Sequence, residues 1–161
     1  MKPDRSRVVT TGLNEDGRST VISDEPGVLL LDGPFVKVFN LWETNDFPIA
    51  ITDEFGPQLH DGFEPDSGMR VYRTLIAPDE SWNADPDTRA EALNTGADFH
   101  QTATVDIQTV LSGEVHAVLE EREVVLRAGD SIVTRGVPHT WRNRSSQVAV
   151  LLAVMISAAT S

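Results

Sequence analysis

Two of the four histidines in the chain lie near residues that could assist chemistry. His100 precedes Asp106 in a segment rich in β-forming residues, and His139 is followed closely by Trp141. Imidazole and carboxylate side chains exchange protons near neutral pH, so a pair of them in a partly dry cavity can act as a general acid and a general base. Asp106 and His139 are therefore the candidate catalytic pair.

The segment that carries His100 and Asp106 has a polar face and an apolar face. His100, Thr102, Asp106 and Gln108 alternate with apolar residues. Alternation alone would bury the apolar set and leave the polar set in water. A straight strand would also separate His100 from Asp106 by about 20 Å. The two side chains can share a ligand only if the chain bends between Thr102 and Asp106.

Many short β-prone segments separated by turn residues predict an all-β sandwich or barrel. The candidate strands are 7–12, 18–22, 36–44, 69–77, 100–111, 114–120, 123–127, 131–134, 137–143 and 148–156. Asn14 to Gly17 is predicted to close a hairpin, and 47–68 an irregular loop. A short helix is predicted at 86–94 with Asp85 as its cap.

The composition limits the classes of function. The chain has 161 residues, of which 40% are hydrophobic, so it fits one domain with a real core. Its net charge of −12 argues against nucleic-acid partners and against anionic membrane surfaces. It contains no cysteine, which excludes disulfides and thiolate ligands. The N-terminal sequence is charged and no apolar run is long enough to span a bilayer, so a cytoplasmic location is expected.

Two segments resemble the two sequence motifs of the cupin family. The first is FHQTATVDIQTVLSGEV, and the second is AGDSIVTRGVPHTWRN. The positions that align with the two histidines, the glutamate and the glycine of the first motif are, in order, His100, Thr102, Asp106 and Gly113. The second motif is matched by Gly129, Gly136, His139 and Asn143.

The resemblance implies a cupin double-stranded β-helix, which is a jelly-roll barrel, with an N-terminal strand extension and one short inserted helix. Residues 1–68 would supply N-terminal strands and a loop that pack on the barrel. Residues 69–161 would form the barrel itself, within a single domain overall. The polar face of the first motif would then line the barrel cavity rather than face water.

The resemblance also implies a divalent metal, namely iron, zinc, nickel or manganese. Its ligands would be His100, Asp106 and His139, with open positions for substrate and water. Thr102 replaces a usual histidine ligand, which predicts weakened metal affinity. Thr102, Gln108 and Trp141 are expected to line the pocket.

The function that follows is a small-molecule enzyme of lyase or isomerase type, acting by proton transfer, dehydration or decarboxylation. A metabolite-binding cupin that has lost its metal is the first alternative, and a metal-dependent dioxygenase is the second. A purely structural or interaction role is a third hypothesis. The apolar outer face predicts a homodimer.

Three further features are interpreted without a functional role. His60 lies in an acidic loop and is expected to be exposed, and His116 is expected on a solvated face. The insertion at 79–99 is read as a surface loop in preference to a lid over the barrel mouth.

Overall fold

The computed structural model describes residues 6–51 and 56–159, and most of these form antiparallel strands. In chain order the strands are β1 (Arg7–Leu13), β2 (Ser19–Pro26), β3 (Val28–Asp32), β4 (Val36–Thr44), β5 (Met69–Ile76), β6 (Thr104–Ser112), β7 (Glu114–Leu119), β8 (Glu123–Arg127), β9 (Ser131–Arg135), β10 (His139–Arg142) and β11 (Ala149–Ser157). The predicted all-β class is confirmed.

A large sheet and a small sheet enclose the core. The large sheet has six strands in the order β3-β4-β5-β11-β6-β9, and the small sheet has three in the order β10-β7-β8. Tyr72 and Val110 from the large sheet pack in one apolar cluster with Val115 and Trp141 from the small sheet. Gly113, with a φ of 80°, makes the tight turn by which the chain passes from β6 to β7.

The inner face of the large sheet changes from apolar to polar along its strands. At one end, the register pairs Val36 of β4 with Ile76 of β5. At the other end it pairs Glu43 with Arg70, and Asp106 of β6 lies in the same layer across β11. A cavity against this face therefore has an apolar end and a polar end.

Strands from both sides of residue 68 belong to the large sheet. β3 and β4 are hydrogen-bonded to one another, and β4 pairs with β5 along its whole length. β3 was not predicted from the sequence. β1 and β2 form a separate two-stranded sheet, whose turn has the predicted hairpin geometry because Asn14 N–H donates to Arg18 O at 2.9 Å.

Two short helices lie in the insertion between β5 and β6, where one was predicted. α1 is Asp79–Asn83 and α2 is Pro86–Ala92, which runs into a wide helical turn at Leu93–Ala97. The predicted cap is confirmed, because Asp85 Oδ1 accepts the Thr88 N–H at 2.8 Å.

Three side chains of the insertion belong to the core, so it is more than the surface loop that was expected. Trp82 of α1 is only 4% exposed and packs edge-on against Phe35, with 5.5 Å between the ring centroids. Ala92 and Ala97 are fully buried. A large aromatic ring and small residues at the contacts let the helices lie close to the sheets.

The outer face of the large sheet carries exposed apolar side chains. Ile107 of β6 is 40% exposed and Val133 of the neighbouring β9 is 56% exposed. The homodimer that this face suggested remains a prediction. Among the described residues, no helix has the length and apolar character needed to cross a bilayer.

The turn that leads into β5 depends on a glycine. Gly68 has a φ of 72°, and a Cβ there would lie 2.0 Å from the Thr44 carbonyl oxygen. Gly17 has the same φ but open space around it. We expect Gly68→Ala to lower the free energy of unfolding by about 3 kcal/mol or more, from backbone strain and steric clash together. Gly17→Ala, the matched control, should cost about 1 kcal/mol from strain alone. Equal losses in urea unfolding would contradict the packing described for this turn.

Candidate functional site

A cavity of about 540 Å³ lies between the two sheets. Its volume is in the range that holds small-molecule ligands. All the site residues predicted from the sequence line it, namely His100, Thr102, Asp106, Gln108, His139 and Trp141. Thr104 and Asp106 are 1% and 2% exposed, whereas Ile107 on the opposite face is 40% exposed. The polar face of the first motif therefore points inward.

His100 and His139 lie side by side although they are distant in the sequence. Each donates its backbone N–H to the carbonyl oxygen of the other at 2.9 Å, which forms an isolated antiparallel bridge. The imidazole centroids are 4.5 Å apart. The edge of the His139 ring also packs on Trp141, with 6.1 Å between the centroids. The bridge brings both imidazoles to one wall of the cavity.

The backbone sets the orientation of both imidazole rings. His100 Nδ1 lies 3.1 Å from the Asp98 carbonyl oxygen, and His139 Nδ1 lies 2.9 Å from the Val137 carbonyl oxygen. A carbonyl oxygen can only accept, so each Nδ1 carries the proton and donates it. In the neutral ring, Nε2 is then left as an acceptor for a ligand or a proton. Burial lowers the pKa of His139, and the charge of His100 lowers it further, whereas the hydrogen bond to the Val137 carbonyl oxygen raises it in part.

Asp106 stands at the end of a chain of hydroxyl groups. Thr104 Oγ1 donates to Asp106 Oδ1 at 2.5 Å and lies 2.8 Å from Thr102 Oγ1. One hydroxyl has one proton, so donation to Asp106 leaves Thr104 to accept from Thr102. Burial raises the pKa of Asp106, and the Glu64 charge raises it further. The hydrogen bond from Thr104 and the charge of His100 lower it in part. Thr102 thus has a place in the hydrogen bonding of the acid.

The bend between His100 and Asp106 is present, and β6 begins only at Thr104, later than predicted. Residues 101–103 leave the strand direction, and Ala103 N–H donates to Glu64 Oε2 at 2.9 Å. Glu64 therefore satisfies a backbone group that the bend would otherwise leave unpaired. Glu64 also lines the cavity. Sequence reasoning missed it, because nothing distinguishes it from the other acids of its loop.

A buried polar cluster holds the loop that carries Glu64. His60 Nε2 lies 3.1 Å from Glu43 Oε2, and His60 Nδ1 lies 2.8 Å from the Gly62 carbonyl oxygen. Asn40 Nδ2 donates to the same Glu43 oxygen at 2.5 Å. The His60 side chain is 16% exposed, so its expected exposure is wrong. The polar residues Asn40 and Glu43 within the apolar strand β4 were the signal that could have revealed it.

His116 is also buried, at 9% exposure, which corrects the expected solvated face. Its Nδ1 lies 2.9 Å from Glu123 Oε1, and Arg144 forms an ion pair with the same carboxylate. His116 faces away from the cavity, since its neighbours Val115 and Ala117 form the inner face of β7. It is a structural histidine on the outside of the small sheet.

The metal that the resemblance implies can be tested against the donor atoms present. The two imidazoles offer suitable Nε2 atoms. However, no group of three His, Asp or Glu side chains within 6–51 and 56–159 converges closely enough to hold an ion. Asp106 and Thr102 are engaged through Thr104. The arrangement does not fit a three-ligand centre, and the chemistry derived below passes through no metal.

The raised pKa of Asp106 has a consequence for stability. The folded state binds this proton more tightly than the unfolded state, so stability is lost as the pH rises through the raised pKa. Asp106→Asn removes the titration and keeps an acceptor for Thr104. We expect it to raise the free energy of unfolding at about pH 8 and to gain little at about pH 3. Asp87→Asn, on the exposed first turn of α2, is the control. If Asp106→Asn lowered the free energy of unfolding equally at all pH values, the burial of an ionisable acid at position 106 would be contradicted.

Comparison with known proteins places the fold. Residues 90–155 match the family described as the Cupin domain. Part of the chain is 47% identical over 48 residues to the phomopsin biosynthesis cluster protein C' of Diaporthe leptostromiformis, covering 29% of this chain and 25% of that protein. A segment of 62 residues is 39% identical to the oryzines biosynthesis cluster protein J of Aspergillus oryzae, covering 37% of this chain and 35% of that protein. The chain thus spans only a quarter to about a third of these relatives.

A solved structure extends the likeness beyond the matched segment. The cupin domain of Cnp3 from Schizosaccharomyces pombe superposes with a TM-score of 0.53 at 8% identity, covering 94% of this chain and 87% of that one. At this identity the likeness concerns the fold alone. Both motif histidines lie within the matched residues 90–155. The segment that carries both motif histidines is therefore similar to the Cupin domain family, and the chain as a whole shares the fold of a solved cupin domain.

Proposed function

We propose that the protein is a small-molecule enzyme of the lyase or isomerase type, in which Asp106 and His139 transfer protons inside the barrel cavity. The observation that carries the proposal is the meeting of a buried acid with a raised pKa and a buried imidazole with a lowered pKa in one cavity. Opposite shifts bring the two pKa values toward each other. A buried acid and a buried base that line one cavity can transfer protons to and from the same ligand.

His139 acts as the base in this proposal. Its lowered pKa keeps the ring neutral, and the bond from Nδ1 to Val137 leaves the Nε2 lone pair for the substrate. A proton on a carbon next to a carbonyl group would pass to Nε2. The carbonyl oxygen would gain negative charge as the carbon gives up its proton, and donors near it would stabilise that charge.

Asp106 acts as the acid. Its raised pKa increases the fraction that carries a proton, and the proton goes to a leaving hydroxyl in a dehydration or to a second carbon in an isomerisation. Thr102 and Thr104 hold the carboxyl group in one orientation through the hydroxyl chain. Orientation of the acid matters because a misplaced catalytic group loses much of its effect.

The relatives support a role with small molecules. Proteins with similar segments are named for the phomopsin and oryzines biosynthesis clusters. The likeness covers at most 37% of this chain. The proposal therefore rests on the cavity first and on the relatives second.

The proposal predicts turnover that depends on Asp106. Wild-type protein and Asp106→Asn would be incubated with a small-molecule extract in deuterated water and followed by mass spectrometry. We expect the wild type to convert at least one compound with loss of water, loss of carbon dioxide or gain of deuterium. The variant should lose at least about 99% of this rate, the range expected for removal of a catalytic acid.

Two variants make the result specific. His139→Gln should lose turnover as Asp106→Asn does, whereas His116→Gln, a buried histidine outside the cavity, should keep it. Binding of the converted compound should survive in Asp106→Asn. Conversion that persists in both cavity variants would refute the acid–base assignment.

A non-catalytic metabolite binder is the second candidate, and Thr102 favours it. Threonine at a position where the family usually has histidine suits a cavity that has lost a metal. If His100, His139 and position 102 converge as the family pattern implies, Thr102→His should raise Zn²⁺ affinity about tenfold or more by adding an imidazole. Calorimetry and elemental analysis measure this. Unchanged affinity, with Thr102→Val as the control, would contradict that arrangement.

A further inference from the structure

We infer that the ligand of the cavity carries a protonated amine, which lies between Glu64 and Asp106 while an apolar body occupies the other end. This deepens the proposed function and rests on the same cavity.

The polar groups of the lining are mainly acceptors. In their neutral form, His100 and His139 present Nε2 lone pairs, because each Nδ1 donates to a backbone carbonyl oxygen. Glu64 and Asp106 add two carboxyl groups. Gln108 adds an Oε1 that is buried without a hydrogen-bond partner among the described residues. A wall rich in acceptors is satisfied by a ligand that donates several hydrogen bonds.

The charges of the lining point the same way. Among the described residues that line the cavity there is no lysine and no arginine. Glu64 raises the pKa of Asp106 by its charge, so the two carboxyl groups repel each other when both are ionised. An ammonium group between them would offset the charge of Glu64 and could donate both to Glu64 and to an oxygen of the protonated Asp106. A carboxylate or phosphate ligand would add a further negative charge to the same place.

Glu64 is held where such a ligand needs it. One of its oxygens accepts from Ala103, and its loop is fixed by His60 and by Tyr72, whose hydroxyl donates to the Phe63 carbonyl oxygen at 2.8 Å. A fixed carboxylate binds a cation without a large ordering cost. The bond to Ala103 occupies Oε2 and leaves Oε1 for a ligand.

The apolar end fits the rest of the molecule. Phe35, Val36 and Ile76 line the cavity, at the end of the large sheet opposite to Asp106. Burial of apolar ligand surface there contributes roughly 25 cal/mol per Å² to binding, before the ordering costs. The ligand class is therefore an amine on an apolar or aromatic body.

The test uses three probes with the same aryl-alkyl body and different charge, namely phenethylamine, phenethyl alcohol and hydrocinnamate. Calorimetry of the full chain near neutral pH should show the amine binding about tenfold or more tighter than either analogue, the factor of a charge-assisted hydrogen bond. Glu64→Gln keeps an acceptor for Ala103 and removes the charge. It should lose this preference and bind the alcohol as the wild type does.

Two controls separate local from general effects. Glu121→Gln, in the exposed turn between β7 and β8, removes the same charge away from the cavity and should leave amine binding unchanged. Asp106→Asn, which keeps a neutral acceptor at this position, should weaken amine binding less than Glu64→Gln does. Circular dichroism confirms that each variant is folded.

Several results would overturn the inference. These are equal binding of the three probes, no binding of any of them, tighter binding of hydrocinnamate, or stoichiometric Zn²⁺ that displaces the amine. Amine preference without any turnover in the extract would support the inference and count against the enzyme. Turnover of an uncharged or anionic compound, with no preference for the amine, would support the enzyme and refute the inference.

Discussion

The site depends on the backbone bridge between His100 and His139. Two reciprocal N–H···O bonds of 2.9 Å join residues that are far apart in the sequence and bring both imidazoles to one wall of the cavity. Because the bridge lies just before the bend that leads into β6, Asp106 comes to the same cavity as the two rings. Loss of this bridge would release His100 from the cavity wall even if every strand remained, because His139 and Asp106 are held by their own strands.

The second constraint is electrostatic. Burial favours the neutral form of both Asp106 and His139, and it moves their pKa values in opposite directions. The charge of Glu64 further raises the pKa of Asp106, and Glu64 Oε2 accepts the Ala103 N–H at the bend before β6. The same carboxylate thus shapes the backbone and sets the charge of the cavity. In this account, proton transfer and recognition of a cation share one group of residues.

Much of the fold followed from local patterns. The bounds of β4 were predicted as observed, and the Asp85 cap of α2 followed from side-chain chemistry that needs no tertiary context. The inward direction of Asp106 did not follow from alternation, which favoured the opposite face. It followed only from the family motif, since a period of two cannot say which face is enclosed.

The parts that were missed depend on contacts between distant segments. β6 starts late because Glu64, from a loop with no recognisable motif, pairs with Ala103. His60 is partly buried because it lies beside Glu43 of β4, and Trp82 is buried because its ring packs on Phe35. Neither partner can be read from the residues around His60 or Trp82. Tertiary packing decided each case.

The central claim is that Asp106 is a buried acid next to Glu64 in the cavity. The most direct measurement is a carbon-detected NMR titration of the Asp106 carboxyl group in the wild type and in Glu64→Gln. The account predicts a pKa above the ordinary value for aspartate, and a lower pKa once Glu64 is neutralised. An Asp106 that titrates at the ordinary value, with no response to Glu64→Gln, would contradict it.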